Sequence, residues 1–215
     1  MLEQQNSRSV LREDETKSLL KEHKIPTTNF IVVEDGEQLE SVPFPFPLVA
    51  KVCSKEILHK TDVEGVVLDI KDRDELNNAI DELRRRFPNK ALLVEHMEEG
   101  EVELIIGVVN DSVFGPTIMF GLGGVLAELY KDVTFRTMPI SDYDAEEMMS
   151  EIKGAKLLEG FRGIRIDRTA IKNLLLNVSK MADDMKDRVE QLDLNPVLAR
   201  EDGLIVVDAK IVLSN

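Results

Sequence analysis

The stretch EILHKTDVEGV, Glu56 to Val66, sets His59 between a leucine and a lysine, ahead of a threonine, an aspartate and a glycine that opens an apolar run. An imidazole titrates near neutral pH, so His59 reads either as a reactive group or as a loop residue facing water. A second possibility lies in DLNPVLAREDGLIVVDA. If Glu201 and Asp202 centre its turn, Asn195 and Asp208 stand opposite each other on an antiparallel pair, with Cβ atoms roughly 4.5–5.5 Å apart. A three-residue loop shifts this pairing by one. An amide oxygen and a carboxylate so placed bracket one hard cation, which is magnesium chemistry. The competing reading is an Asn-Pro turn followed by a strand-end aspartate.

In FGLGGVLAELYKD, Gly121, Gly123 and Gly124 follow the apolar run TIMF. Glycines let a backbone approach phosphate oxygens with its N–H groups, but the spacing is neither a Walker A loop nor a dinucleotide fingerprint, and a tight turn explains it as well. Lys51 interrupts the apolar PLVAKV. It either faces water or supplies a point charge to a phosphate. Glu95, His96 and Met97 follow ALLV, and Glu103 alternates with Val102 and Leu104. Each of these fits an ordinary exposed strand position.

The elements that position these groups read as α+β. MLEQQNSRS has the composition of a frayed tail, and a helix is expected from Glu13 to Glu22, stopped by Ile25-Pro26. Phe30–Val33 and Leu48–Val52 read as strands flanking SVPFPFP, whose prolines exclude it from a paired strand. Val66–Ile70 reads as a buried strand. Asp72 and Glu75 then start a helix with apolar Leu76, Ala79, Ile80, Leu83 and Phe87, which Pro88 ends. Ala91–Val94, Val102–Val109 and Thr117–Phe120 are expected strands, with Asn110-Asp111 as hairpin turn residues. Helices follow over Ser141–Ile152 and Thr169–Met185, whose methionines fall at core spacing rather than in a cofactor box. Strands Val189–Leu192 and Leu204–Val207 close the pattern. Two lobes meeting near residue 95 fit this order.

Composition narrows the function. A net charge of −14 over 215 residues argues against nonspecific adhesion to nucleic acid or to an anionic membrane. The single Cys53 excludes an intramolecular disulfide framework and suits a reducing compartment. With no signal-like start and no apolar run near the roughly 20 residues that span a bilayer, a soluble cytoplasmic protein is expected.

From about Leu11 to Leu213 the chain resembles the ATP-grasp β subunit of ADP-forming (NDP-forming) acyl-CoA synthetases, the acetyl-CoA synthetase type related to succinyl-CoA synthetase. The segments carrying the likeness are DETKSLLKEHKIP, PLVAKVCSKEILHKTDVEGV, FGPTIMFGLGGVLAELYKDVTFRTMPI and LDLNPVLAREDGLIVVDAK. The resemblance implies a flexible tail over residues 1–10 and an ATP-grasp domain over 11–215, with a smaller lobe at about 25–95 and a larger one at about 96–215. Each lobe is implied to carry an antiparallel-rich sheet with helices, with the nucleotide between them.

Residue by residue, the resemblance implies Lys51 on phosphate, Glu95 to Met97 beside adenine and Glu103 on ribose. It implies Gly121, Gly123 and Gly124 as the glycine loop, Asn195 and Asp208 as Mg2+ ligands, and His59 as the histidine that accepts a phosphoryl group. Glu64 departs from the glycine usual in HK-x-D-V-G-G-V. The activity implied is that of an ADP-forming acid–CoA ligase, acyl-CoA + ADP + phosphate ⇌ carboxylic acid + CoA + ATP. A separate α subunit, in an α2β2 complex, is implied to carry the CoA-binding and ligase domains. Two other functions fit the same fold: a carboxylate–amine ligase in which His59 only lines a loop, and a nucleotide-binding regulatory module without chemistry.

Overall fold

The computed structural model describes residues 9–57, 60, 63–124, 131–185 and 188–214. They divide into two compact units, one holding Arg12–Glu15 and Thr28–Glu98, the other the residues up to Leu11, Thr16–Thr27 and those from Glu99 on. Strand β1 (Ser9–Val10) pairs with the C-terminal strand through Leu213 and Val212, so the tail expected to reach residue 10 gives way to a strand at Ser9. Helix α1 (Glu13–Glu22) has the expected bounds, and its acidic first turn suits the positive end of the helix dipole.

In the smaller unit, strands β2 (Phe30–Val33), β3 (Leu48–Cys53), β4 (Val66–Ile70) and β5 (Ala91–His96) form an antiparallel sheet in the order β2-β5-β3-β4. Helix α2 (Arg73–Arg86) is capped by the Asp72 carboxylate, which accepts from the Glu75 N–H at 2.9 Å. Its Leu76, Ala79, Ile80 and Leu83 pack with Leu48, Ala50, Val52, Leu92 and Val94. Strand alternation then turns Val49, Lys51 and Cys53 of β3, and Leu93 and Glu95 of β5, to the opposite face. Strand β4 is not the buried strand expected. It is an edge, and Leu68 and Asp69 are exposed because only one of its sides is paired and one face covered.

In the larger unit, strands β6 (Val102–Asp111), β7 (Gly115–Leu122), β8 (Val133–Thr137), β9 (Val189–Arg200), β10 (Gly203–Val206) and β11 (Ala209–Leu213) join β1 in a second antiparallel sheet. Helices α3 (Asp142–Glu151) and α4 (Arg168–Asp184) bury Ala145, Met148, Met149, Ile171, Leu174, Leu175, Val178 and Met181 in one cluster with Leu104, Ile106, Val108, Ile118 and Phe120. Asn110 and Asp111 end β6 rather than making the turn. The Asp111 carboxylate accepts from the N–H groups of Val113 (2.8 Å) and Phe114 (2.9 Å), which shifts the hairpin tip to 112–114. These same bonds hold the Asp111 carboxyl below its ordinary range. Among the described residues no helix is long and apolar enough to cross a membrane.

Candidate functional site

Strand β3 lies between β5 and β4, so each of its residues is buried, Lys51 included. An ammonium there requires opposite charge, because desolvating an unpaired ion costs far more than packing returns. Two carboxylates meet it. Glu13 Oε1, from the first turn of α1, is 3.2 Å from Lys51 Nζ, and Glu95 Oε1, from the neighbouring strand, also pairs with it. Glu95 also accepts a hydrogen bond from the Thr28 hydroxyl. The other oxygen of Glu13, Oε2, is 2.7 Å from Lys60 Nζ. Side-chain exposure is 4% for Lys51, 2% for Glu13, 0% for Glu95 and 10% for Lys60. Lys51 therefore does not face water, and Glu95 is not an exposed strand position. The Glu95 carboxylate is turned onto Lys51. His96 and Met97 are tied to the proline run. His96 Nδ1 lies 3.0 Å from the Pro45 carbonyl, and the Met97 N–H donates to the Pro47 carbonyl at 2.9 Å.

Beside this cluster, Cys53 Sγ donates to Asp14 Oδ1 at 3.3 Å, and Arg12 Nε donates to the same oxygen at 2.9 Å. Burial pushes the Cys53 thiol up to about 11, so it is a protonated core group at cellular pH. Burial would raise the Asp14 carboxyl, but hydrogen bonds from Arg12 and Cys53 outweigh it and hold the group below its usual value.

In the larger unit the glycine segment lies against Glu103. The Gly123 N–H donates to the Glu103 carbonyl at 2.7 Å, and Gly124 has φ +73, where a Cβ would come within 2.9 Å of Glu103 Oε2. A side chain at Gly124 would thus be strained and would push the carboxylate aside. Glu103, Gly123 and Gly124 line a cavity of about 340 Å³ with Glu101, Val102, Leu122, Leu157 and Ile164. Gly121 belongs to β7 rather than to the loop, and a Cβ there would lie 2.4 Å from the Asp132 carbonyl.

The turn at Glu201-Asp202 has the two-residue register. Gly203 pairs with Arg200 and Val206 with Val197. Beyond them the Val207 N–H donates to the Pro196 carbonyl at 3.0 Å and the Asn195 N–H to the Asp208 carbonyl at 3.1 Å. Asn195 and Asp208 are therefore opposed. Asn195 is exposed and Asp208 half-buried.

His59 lies outside the described residues. Glu64, where glycine was expected, adopts φ +54 and pairs with Arg86, Nη1 to Oε2 2.7 Å. Glu13, Lys60 and Thr28 were not anticipated from sequence. The only signal was the acidic start of α1.

A model of the ATP-grasp domain matches residues 3–213. The chain is 39% identical over 218 residues to the β subunit of acetate–CoA ligase (ADP-forming) II of Pyrococcus furiosus, covering 96% of this chain and 92% of that one. It is 40% identical over 206 residues to acetate–CoA ligase (ADP-forming) II of Archaeoglobus fulgidus, where the match covers 95% of this chain but 30% of the longer protein. A solved structure of the dinucleotide-forming acetyl-coenzyme A synthetase 1 of Ca. Korarchaeum cryptofilum is 40% identical, superimposes with a TM-score of 0.82, and is matched over 95% of this chain and 93% of that one. That structure is a complex with coenzyme A and Mg-AMPPCP, and its phosphohistidine segment points towards the nucleotide binding site.

Proposed function

Because this chain belongs to the ATP-grasp family, among the β subunits of ADP-forming acetate–CoA ligases, we propose that it transfers a phosphoryl group between a phosphohistidine and ADP, with Mg2+, to make ATP from acyl-CoA, ADP and phosphate. The observation that carries the reading is the register that opposes Asn195 to Asp208, an oxygen pair suited to a cation that keeps water and phosphate as its other ligands. The magnesium complex of the Korarchaeum relative supports it. Asn195 and Asp208 would hold the metal, which when bound offsets charge on the phosphates.

In this reading Lys51 offers its ammonium to a phosphate, Glu103 takes the ribose, and the backbone at Gly121, Gly123 and Gly124, which carries no side chain, lets phosphate oxygens approach. His59 carries the phosphoryl group. An oxygen of the ADP β-phosphate attacks phosphorus, the P–N bond breaks, and its electron pair returns to the imidazole. Thioester cleavage belongs to a separate α subunit, in an α2β2 assembly, and the complex is cytoplasmic. The P. furiosus relative, itself a β subunit of nearly the same length, supports the division of labour.

The test is phosphoryl labelling. Incubation of the chain with γ-labelled ATP and Mg2+ should leave acid-labile, base-stable label, absent from His59→Ala, and ADP should remove it from the wild type as ATP. Label that survives the substitution excludes His59, and MgATP binding without any transfer favours a regulatory module.

A further inference from the structure

We infer that Asp132 is a positioning residue for the nucleoside: by fixing the Lys153–Gly154 backbone against Leu122 it sets the width of the cavity that opens at Glu103. The inference rests on the reading that Glu103 takes the ribose. Asp132 stands just before β8, is 8% exposed, and pairs with no ammonium or guanidinium among the described residues. A carboxylate so buried must be met by hydrogen-bond donors instead. Its Oδ1 accepts from the Lys153 N–H at 2.6 Å and its Oδ2 from the Gly154 N–H at 2.7 Å. Only a carboxylate accepts on both arms, since an amide presents one oxygen and an NH2 group.

Those two bonds hold one wall of the cavity to the others. The walls at Glu101–Glu103 and Leu122–Gly124 run along or just beyond the paired strands β6 and β7, and the Gly123 N–H joins them at the Glu103 carbonyl. The remaining wall, Leu157 and Ile164, belongs to the segment that follows α3 and lies in no strand. Asp132 ties the start of that segment to β7. Its backbone lies against Gly121, where a Cβ would collide with the Asp132 carbonyl, and its side chain reaches across to residues 153 and 154. Gly154 then packs on Leu122: a Cβ there would collide with Leu122 Cδ1, lie 3.1 Å from its Cγ and lie 3.2 Å from Asp132 Oδ2. Leu122 thus touches the tethered backbone and lines the cavity as well. Ile152 and Leu158 are buried in the core on either side of the tether, so the segment stays folded without the carboxylate, and what Asp132 adds is placement.

Size makes that placement matter. A cavity of about 340 Å³ stands at the small end of ligand sites, roughly 300–1,000 Å³, so a nucleoside fills it. A wall that retreats no longer holds the sugar on the Glu103 carboxylate, and the apolar Val102, Leu122, Leu157 and Ile164 offer no polar bond in exchange. A hydrogen bond to a charged group lost in this way is worth about one tenfold step in affinity or more.

The test is calorimetry of the full chain, well below its melting temperature, with the magnesium complexes of ADP, 2′-deoxyADP and 3′-deoxyADP. Wild type should bind ADP about tenfold more tightly than at least one deoxy analogue, which lacks the hydroxyl that donates to Glu103. In Asp132→Ala, ADP should weaken about tenfold while that analogue changes little, so the preference disappears. Asp132→Asn, which keeps one acceptor oxygen, should retain part of the preference. Gly154→Ala should weaken ADP through Leu122. The double variant Gly154→Ala/Leu122→Ala removes both leucine atoms that the new Cβ meets, and should restore part of the preference.

An Asp132→Ala chain that melts lower but keeps the wild-type preference for ADP overturns the inference, because the carboxylate then serves stability alone. So does a double variant whose preference is no better than that of Gly154→Ala. Should Asp132→Ala fail to fold, Asp132→Asn and Gly154→Ala make the same comparison, and an undiminished preference in both refutes the inference. Equal wild-type affinity for ADP and both analogues would instead remove Glu103 from the ribose, and a wild-type chain that binds no MgADP would sink the nucleotide reading itself.

Discussion

Lys51→Met tests the buried ion cluster and the phosphate contact at once. Removing one partner of a desolvated pair costs about 3–5 kcal/mol, because the other charge stays buried. Lys60 continues to cover Glu13, and Thr28 still donates to Glu95, so the lower end of that range, about 3 kcal/mol, is the better figure here. For a chain of this size each kcal/mol moves the melting temperature by roughly 2–4 °C, giving a loss of about 6–12 °C. Adding Glu95→Gln removes the stranded charge and keeps an acceptor for Thr28. The double variant should therefore recover to within about 1 kcal/mol of wild type, the net worth of an ordinary hydrogen bond. Its affinity for MgADP should not recover, since the ammonium is gone. Thermal melts by circular dichroism and calorimetric titration of the same samples separate the two effects. A Lys51→Met melt within 2 °C of wild type, a threshold set below about 1 kcal/mol, would show that the pair is not desolvated. Wild-type nucleotide affinity in the double variant would remove Lys51 from the phosphate site.

Asp208→Asn and Asn195→Ala should each weaken MgADP binding and flatten its magnesium dependence, measured by calorimetry with and without the metal; unchanged dependence in both removes the metal assignment. Gly124→Ala should cost about 1–2 kcal/mol in stability from its left-handed φ and displace Glu103, with a fall in nucleotide affinity read in the same titration. Glu64→Gly relieves a similar strain of about 1–2 kcal/mol but gives up an exposed ion pair and adds unfolded-state freedom, each up to about 1 kcal/mol, so its melting temperature should stay close to wild type. Asp14 is held below its usual value, so its stabilisation is full at neutral pH and is lost as pH falls through the acid range; Asp14→Asn should melt lower at pH 7, with the gap closing as the carboxyl is protonated. The Cys53 thiol, raised to about 11 and 2% exposed, should give no titre with an aromatic disulfide reagent at about pH 8 until the chain is unfolded.

The helices were legible because each writes its own boundary locally. Pro26 follows α1, Asp72 and Ser141 cap α2 and α3 through bonds within three residues, and the methionines of α3 and α4 recur at helical spacing. The β9–β10 register was equally local, since a two-residue turn fixes every pair up to Asn195 and Asp208. Strands without such a marker were lost. Val133–Thr137 follows a glycine-rich segment and mixes apolar and polar side chains, and Ala209–Leu213 starts after Asp208 with no turn signal. The edge position of β4 depends on which strands pair beside it, and an apolar run by itself does not encode that.

The site divides along the same line between local and distant encoding. Gly123, Gly124 and Glu103 were recognisable by residue type, though their contact with one another is made by the pairing of β6 with β7. Lys51 was recognisable as a charge out of place on an apolar strand, and such a charge demands a partner somewhere in the chain. Strand alternation puts Glu95 on the correct face, two residues beyond Leu93, and β5 lies beside β3. Glu13 had no comparable signal. It is 38 residues from Lys51, at a helix start where acids are common for local reasons, and only the packing of that turn against β3 separates it from Asp14 and Glu15. A buried lysine is a prediction that buried carboxylates exist, and which carboxylates they are is decided by tertiary contact. For that reason the ion pairs that join Glu13, Lys51, Lys60 and Glu95 became readable only from the folded chain.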